Sequence, residues 1–258
     1  MPKPTKPQRV ITVSRRDARR VKLLAASGKR ETGFEMAVQE PAEKPLRSFH
    51  IQPRTRRQQD QLDAIEEDAI TVAIGPAGTG KTHISCCKAV QLLSTGDYDQ
   101  LVLCRANVPT GSSLGHFPGT IEEKLAPWLS PMTSVLKKAM GAARYDLMLR
   151  RGQIQMQPLE TVRGQSFERT ILLVDEAQNL SIEEIKALTT RLGEGSKMVL
   201  MGDPNQSDVA RGMALLKFAD MCLRNDINVP VIRYTVDDIV RSDIVGKLVR
   251  MFHTAELG

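Results

Sequence analysis

Eight residues, "GPAGTGKT" at 75–82, follow the apolar run "AITVAI" and lead into "HISCCKAVQLL". Gly75, Gly80, Lys81 and Thr82 fit the spacing G-x-x-x-x-G-K-[ST] between an expected strand and an expected helix, the setting in which this pattern cradles a polyphosphate. The backbone from Gly75 through Pro76, Ala77, Gly78, Thr79 and Gly80 can curl so that its N–H groups face an anion, and the helix N-terminus adds its dipole. Lys81 would reach the β- and γ-phosphates of a nucleotide such as ATP, and the Thr82 hydroxyl would bind Mg²⁺. A glycine-rich turn with no ligand is the plain alternative, which the flanking strand and helix argue against.

A second stretch, "TILLVDEAQNL" (170–180), places Asp175 and Glu176 after an apolar run, at the carboxyl end of a strand where ligands of open α/β sheets gather. Asp175 would orient the metal and Glu176 would polarise an attacking water. Taken alone, two acids there could simply cap a helix. The helix that follows opens at "SIEE", where Ser181 and Glu184 fit a capping box and Ile182, Ile185, Leu188 and Leu192 form a stripe that reads as core. In a third stretch, "MGDPNQ" (201–206), Gln206 could sense the γ-phosphate; a Pro-Asn turn is the competing reading.

These residues need a scaffold, and the hydropathy pattern supplies one. Strands are expected at 69–74, 101–104, 154–159, 170–175, 197–202 and 229–235, with helices near 58–67, 80–94, 120–140, 181–192, 209–224 and 237–252. Short strands apolar along their whole length suit a sheet covered on both faces, so the alternation predicts a three-layer α/β sandwich with a mostly parallel central sheet. A chain of 258 residues with 41% hydrophobic content can bury one substantial core. Its four cysteines lack metal-ligand spacing, and the apolar setting of Cys104 suggests a reduced thiol and a cytoplasmic compartment. No apolar run reaches the roughly 20 residues needed to span a bilayer.

Charge is uneven along the chain. Residues 1–57 hold 15 Lys or Arg against 5 Asp or Glu, so the net +6 leaves residues 58–258 at −4. This basic N-terminal extension, taken as 1–53 with the expected nucleotide-binding domain at 54–258, could bind phosphate backbones or be a solvated arm. Within it, residues 14–27 could form a helix capped by Ser14, and residues 39–48 read as linker.

Taken together, "GPAGTGKT", "LLVDEAQN", "TTRLGEGSK" and "GDPNQSD", in that order, resemble the PhoH family of ATPases. The resemblance extends to residues 105–132, with Leu114, Gly115, Pro118, Gly119, Glu122 or Glu123, Lys124 and Pro127 in register, and to residues 162–179. It implies a P-loop NTPase, RecA-like and similar to the first motor domain of superfamily 1 helicases. It further implies that Gln58 contacts the adenine, with Gln59 and Gln61 as neighbouring candidates. On the same basis Gln206 couples phosphate state to a polynucleotide path, and Arg241 matches an arginine of the family's C-terminal pattern. Ser113 and Ser242 depart from that pattern, standing where Glu and His are usual.

Superfamily 1 helicases complete their site with arginines from a second motor domain, and residues 58–258 make one such domain. A homo-oligomer, a six-membered ring, is therefore expected, with Arg105, Arg163, Arg191, Arg211 and Arg241 as candidate donors to a neighbour's site. His83, His116 and Trp128 read as solvated or packing residues, although Trp128 could stack on a base. The leading expectation is an ATPase that moves along or remodels RNA or single-stranded DNA. A P-loop ATPase remodelling protein partners is the alternative, and a small-molecule kinase is the third reading.

Overall fold

A computed structural model describes residues 50–106, 121–206, 209–241, 244, 246–248 and 251, with the side chains of 121–122 and 209–212 left aside. The expected arm helix and linker, most of the long segment with Ser113, Leu114, Gly115, His116, Pro118 and Gly119, the Glu122 side chain and Ser242 lie outside the described residues. So does the expected helix at 237–252 as a continuous element.

Among the described residues six strands form one sheet: β1 (Ile70–Ile74), β2 (Gln100–Arg105), β3 (Ile154–Met156), β4 (Thr170–Asp175), β5 (Lys197–Gly202) and β6 (Val231–Arg233). Every pairing is parallel, in the order β3-β2-β4-β5-β1-β6. The helices are α1 (Arg56–Glu67), α2 (Lys81–Leu93), α3 (Ile121–Met140), α4 (Ala142–Arg150), α5 (Leu159–Val162), α6 (Ile182–Thr189) and α7 (Val209–Arg224). Among the described residues no helix is long and apolar enough to cross a membrane.

Alternation along the strands explains why both faces must be covered, because successive side chains of a strand point to opposite sides. Ala73, Leu101, Leu103, Ile171, Leu173, Val199 and Met201 pack with α1–α4, while Val72, Ile74, Val102, Cys104, Leu172, Val174, Met198 and Leu200 pack with α5–α7. These two apolar layers hold the central strands rigidly, and their carboxyl ends carry the loops of interest. All four cysteines are buried and free, and burial pushes the Cys104 thiol up to about 12.

Several boundaries differ from the sequence expectation. β3 stops at Met156, because Pro158 turns the chain into α5, and β6 is confined to Val231–Arg233 after Pro230. The capping box at Ser181 and Glu184 is present, yet α6 ends at Thr189 rather than 192. There the Thr189 and Thr190 hydroxyls bond back to the carbonyls of Ile185 and Lys186, a local competitor of the helical ladder.

The phosphate-loop backbone leaves no room for side chains at its start. Gly75 has φ +139°, and a Cβ there would lie 2.4 Å from the Tyr234 carbonyl oxygen. Gly75→Ala is therefore expected to lower unfolding stability by about 2–4 kcal/mol, combining backbone strain with overpacking. Gly96→Ala, at φ +84° with nothing within 4 Å, should lose only about 1–2 kcal/mol. Equal denaturant midpoints for the two variants would refute this account.

Candidate active site

Sheet order decides which loops meet. β5 lies between β1 and β4, so the loops after these three strands converge, and β2 lies on the far side of β4 with Arg105 in register with Asp175. The Gly75 N–H donates to the Gly202 carbonyl at 3.1 Å and the Ala106 N–H to the Asp175 carbonyl at 2.9 Å, which ties the loop bases together. A cleft of about 430 Å³ opens over them, lined by residues that include Gly78, Gly80, Lys81, Thr82, Arg105, Asp175, Glu176, Asp203, Gln206 and Arg241.

Within the cleft, the Thr82 hydroxyl donates to Asp175 Oδ1 at 3.1 Å. Two hard oxygen donors thus face one point, and no cluster of three or more His, Cys, Asp or Glu suited to a metal occurs among the described residues. A pair of oxygens completed by waters and phosphate is the donor set that suits Mg²⁺. Asp175 is buried, and burial pushes its pKa up while the Arg105 guanidinium pulls it down and Glu176 adds a further upward push.

Lys81 donates to the carbonyls of Gly75 at 2.6 Å and Pro76 at 2.9 Å. Burial lowers its pKa, opposed by the carboxylates of Asp203, Asp175 and Glu176. Those three acids keep a cation favourable at the loop, and an incoming phosphate would compete with the two carbonyls for the ammonium. Asp203 is likewise buried, and desolvation raises its pKa.

Glu176 sits at φ +55°, in the left-handed region that non-glycine residues rarely occupy. Its Oε2 accepts from Gln178 Nε2 at 2.6 Å and its Oε1 from Arg105 Nη2 at 2.7 Å. Gln178, 1% exposed, in turn accepts from the Asp203 N–H at 3.0 Å through Oε1. One buried amide therefore joins the acid pair to the third loop. Motif spacing assigns no role to Gln178, which lies inside "DEAQN". Its neighbours Asp175, Glu176 and Asn179 are themselves polar, so hydropathy carries no signal for it.

The three glutamines of α1 separate cleanly. Gln59 bonds Asp63 on the exposed face. Gln61 is fully buried, donating to the Lys81 carbonyl and Ser85 Oγ and accepting from the Tyr234 hydroxyl. Gln58 donates to the Thr79 carbonyl at 2.8 Å and accepts from the Arg54 N–H at 2.7 Å, and its Nε2 would lie 2.7 Å from a Cβ at Gly80, whose φ is +90°. Gln58 and Gln61 thus both brace the end of the loop where it enters α2. A second cavity of about 350 Å³, lined by His50 to Arg54, His83 and Cys87, adjoins the cleft through His83.

Of the candidate arginines, Arg105 and Arg241 lie in this chain's own cleft. Arg241 packs over Gly78, its Cγ 2.8 Å from where a Cβ would stand. Arg163 pairs with Glu184 at 3.1 Å, Arg191 is exposed, and the Arg211 side chain lies outside the described residues. Gln206 lines the cleft from an exposed position. Trp128 is 40% exposed, and His83 is exposed.

Known proteins resemble this chain in sequence and in fold. The profile described as "PhoH-like protein" matches residues 50–253. A PhoH-like protein of Bacillus subtilis is 34% identical over 220 residues, covering 85% of this chain and 69% of that protein. One of Mycobacterium tuberculosis is 36% identical over 200 residues, covering 77% of this chain and 57% of the relative. Protein PhoH of Escherichia coli is 34% identical over 205 residues, covering 78% and 58%. The chain thus spans somewhat over half the length of most of these relatives. Among solved structures, the large terminase of a thermophilic bacteriophage superposes with TM-score 0.53 at 12% identity, over 77% of this chain and 50% of the terminase. The same terminase in complex with ADP gives 0.50 at 13% identity, over 76% and 49%. At such identity the likeness is one of fold.

Proposed function

The chain belongs to the PhoH-like protein family, and from that premise we propose that it is an ATPase whose cleft hydrolyses the terminal phosphoanhydride of ATP. The observation that carries this reading is the approach of Thr82 Oγ1 to Asp175 Oδ1 at 3.1 Å in the cleft that also holds Lys81 and Glu176. Thr82 and Asp175 would hold Mg²⁺, which when bound neutralises phosphate charge. The loop from Gly75 to Gly80 would receive the phosphates on its amides, with Lys81 leaving its carbonyl partners for the β- and γ-oxygens. Glu176 would orient a water in line with the γ-phosphorus and take its proton. As the water oxygen bonds to phosphorus, the bond to the β–γ bridging oxygen breaks and ADP leaves with that electron pair.

Gln206 and Arg241 would face the γ-phosphate, the cavity between His50–Arg54 and His83 would give the base room, and Gln58 would reach the adenine by exchanging its bonds to Thr79 and Arg54. Coupling of hydrolysis to movement on RNA or single-stranded DNA, in a homo-oligomeric ring with an arginine supplied by the neighbour, forms the further part of the proposal. Sequence order of the motifs and the basic extension support it, and the exposed Arg191 is the described candidate for the donated group.

Turnover by the purified chain, measured with and without single-stranded RNA and DNA across a salt series, tests both levels. Hydrolysis requiring Mg²⁺ is expected, with stimulation by polynucleotide that declines steeply between about 50 and 200 mM salt. No hydrolysis with or without polynucleotide would defeat the ATPase reading. Hydrolysis indifferent to both polymers would defeat the polynucleotide reading and favour protein partners.

A further inference from the structure

Because Glu176 leaves β4 in a left-handed conformation, its carboxylate is aimed by side-chain partners rather than by continuation of the strand. The two partners differ in kind. Gln178 is neutral, buried and anchored to the Asp203 N–H. Arg105 is charged and bridges two elements: Nη2 donates to Glu176 Oε1 at 2.7 Å, and Nη1 donates to the Trp128 carbonyl at 2.8 Å.

The Trp128 end of this bridge lies in α3, between Pro127 and Pro131. Each proline withholds an N–H from the helical ladder, so the turn bearing Trp128 is held by fewer internal bonds than an ordinary turn. The same helix lends Pro131 and Val135 to the wall of the cleft. Trp128 itself presents 40% of its surface to solvent.

We propose that Arg105 is a positioning residue for Glu176 and the strut through which α3 sets the place of that carboxylate. The proposal rests on Glu176 as the water-orienting group. A planar guanidinium fork suits the task, because it can bond a carboxylate and a carbonyl at once in fixed geometry, whereas an ammonium is a single point charge. Displacement of the Trp128 turn would be passed to Glu176 through one rigid side chain. Arg105 thereby acts within its own chain rather than on a neighbour.

The experiment uses the full chain with Arg105→Ala, Arg105→Lys, Glu176→Ala and the double variant R105A/E176A. Arg105→Ala should lower kcat about 10- to 100-fold with KM changed less than about threefold, since misplacing a reacting group by an ångström costs on that order. Arg105→Lys, which keeps the charge at Oε1, should recover about a third or more of that loss on a logarithmic scale and melts at the wild-type temperature. In the Glu176→Ala background, removing Arg105 should cost less than about twofold more, as expected of residues that act through one group.

Trp128 is the only tryptophan, so its emission reads the strut without any turnover. Arg105→Ala and Glu176→Ala should shift it in the same direction, and the double variant no further. An Arg105→Ala penalty equally large without Glu176, or a Glu176→Ala protein with wild-type emission, would overturn the strut. A wild-type chain without hydrolysis would instead defeat the proposed function, and the emission comparison would still decide whether α3 and Glu176 are linked.

Discussion

Glu176→Gln is expected to lower ATP turnover about 10²- to 10⁴-fold while nucleotide affinity stays within about threefold, the range a positioned general base contributes. The substitution keeps the size of the side chain and removes its charge and proton-accepting oxygen. Its local cost is foreseeable. Both neighbours of the carboxylate, Arg105 Nη2 and Gln178 Nε2, are donors, and an amide offers one acceptor where the carboxylate offers two. One of the two bonds must fail, so the side chain also loses part of its aim. A fluorescent ATP analogue should bind nearly as before, because the phosphate loop and Thr82 are untouched. Turnover within threefold of wild type would remove Glu176 from the chemistry.

The layered α/β fold was legible because burial on both sheet faces leaves a strong trace: "TILLVD" and "KMVLMG" are apolar at every position but their ends, which only a covered strand tolerates. Short, half-exposed elements leave a weaker one. α4 buries only Tyr145 and Met148 amid charged residues, and its pattern falls below what periodicity detects. Strand order is absent from local sequence, since any strand of this hydropathy could sit beside any other. The placement of Arg105 beside Asp175 was accordingly beyond reach, because it depends on β2 pairing with β4 in register.

At the site, residues defined by spacing within one loop were readable and bridges between loops were not. Gly75 to Thr82 could be named from a single stretch. Gln178 connects Glu176 to Asp203, 25 residues from it in sequence, and Arg105 connects α3 to Glu176, 71 residues away. Such links obey no period. They are imposed by hydrogen-bond demand: buried polar atoms must find partners, and these were the partners within reach.

Asp175→Asn should separate stability from chemistry. Asp175 is desolvated, and burial raises its pKa more than Arg105 lowers it, so the ionised carboxylate opposes folding at neutral pH. Asparagine keeps an oxygen for the Thr82 hydroxyl and carries no charge to desolvate. Without nucleotide the variant should be more stable by roughly 0.5–2 kcal/mol, the usual yield of relieving a functional-site strain, with each kcal/mol worth about 2–4 °C in Tm for a domain of this size. The pH dependence has a definite sign. A carboxyl whose folded pKa lies above its unfolded value binds its proton more tightly when folded, so the wild-type penalty is present above the folded pKa and is relieved as pH falls through it. The stability gap should therefore be widest near neutral pH and close on acidification. Turnover should move the other way, falling roughly 10³-fold or more as the metal-holding carboxylate is lost. Calorimetric melts of both proteins from neutral to acidic pH check the claim, and a variant that melts below wild type throughout would show that the Asp175 charge is held by its neighbours more firmly than burial penalises it.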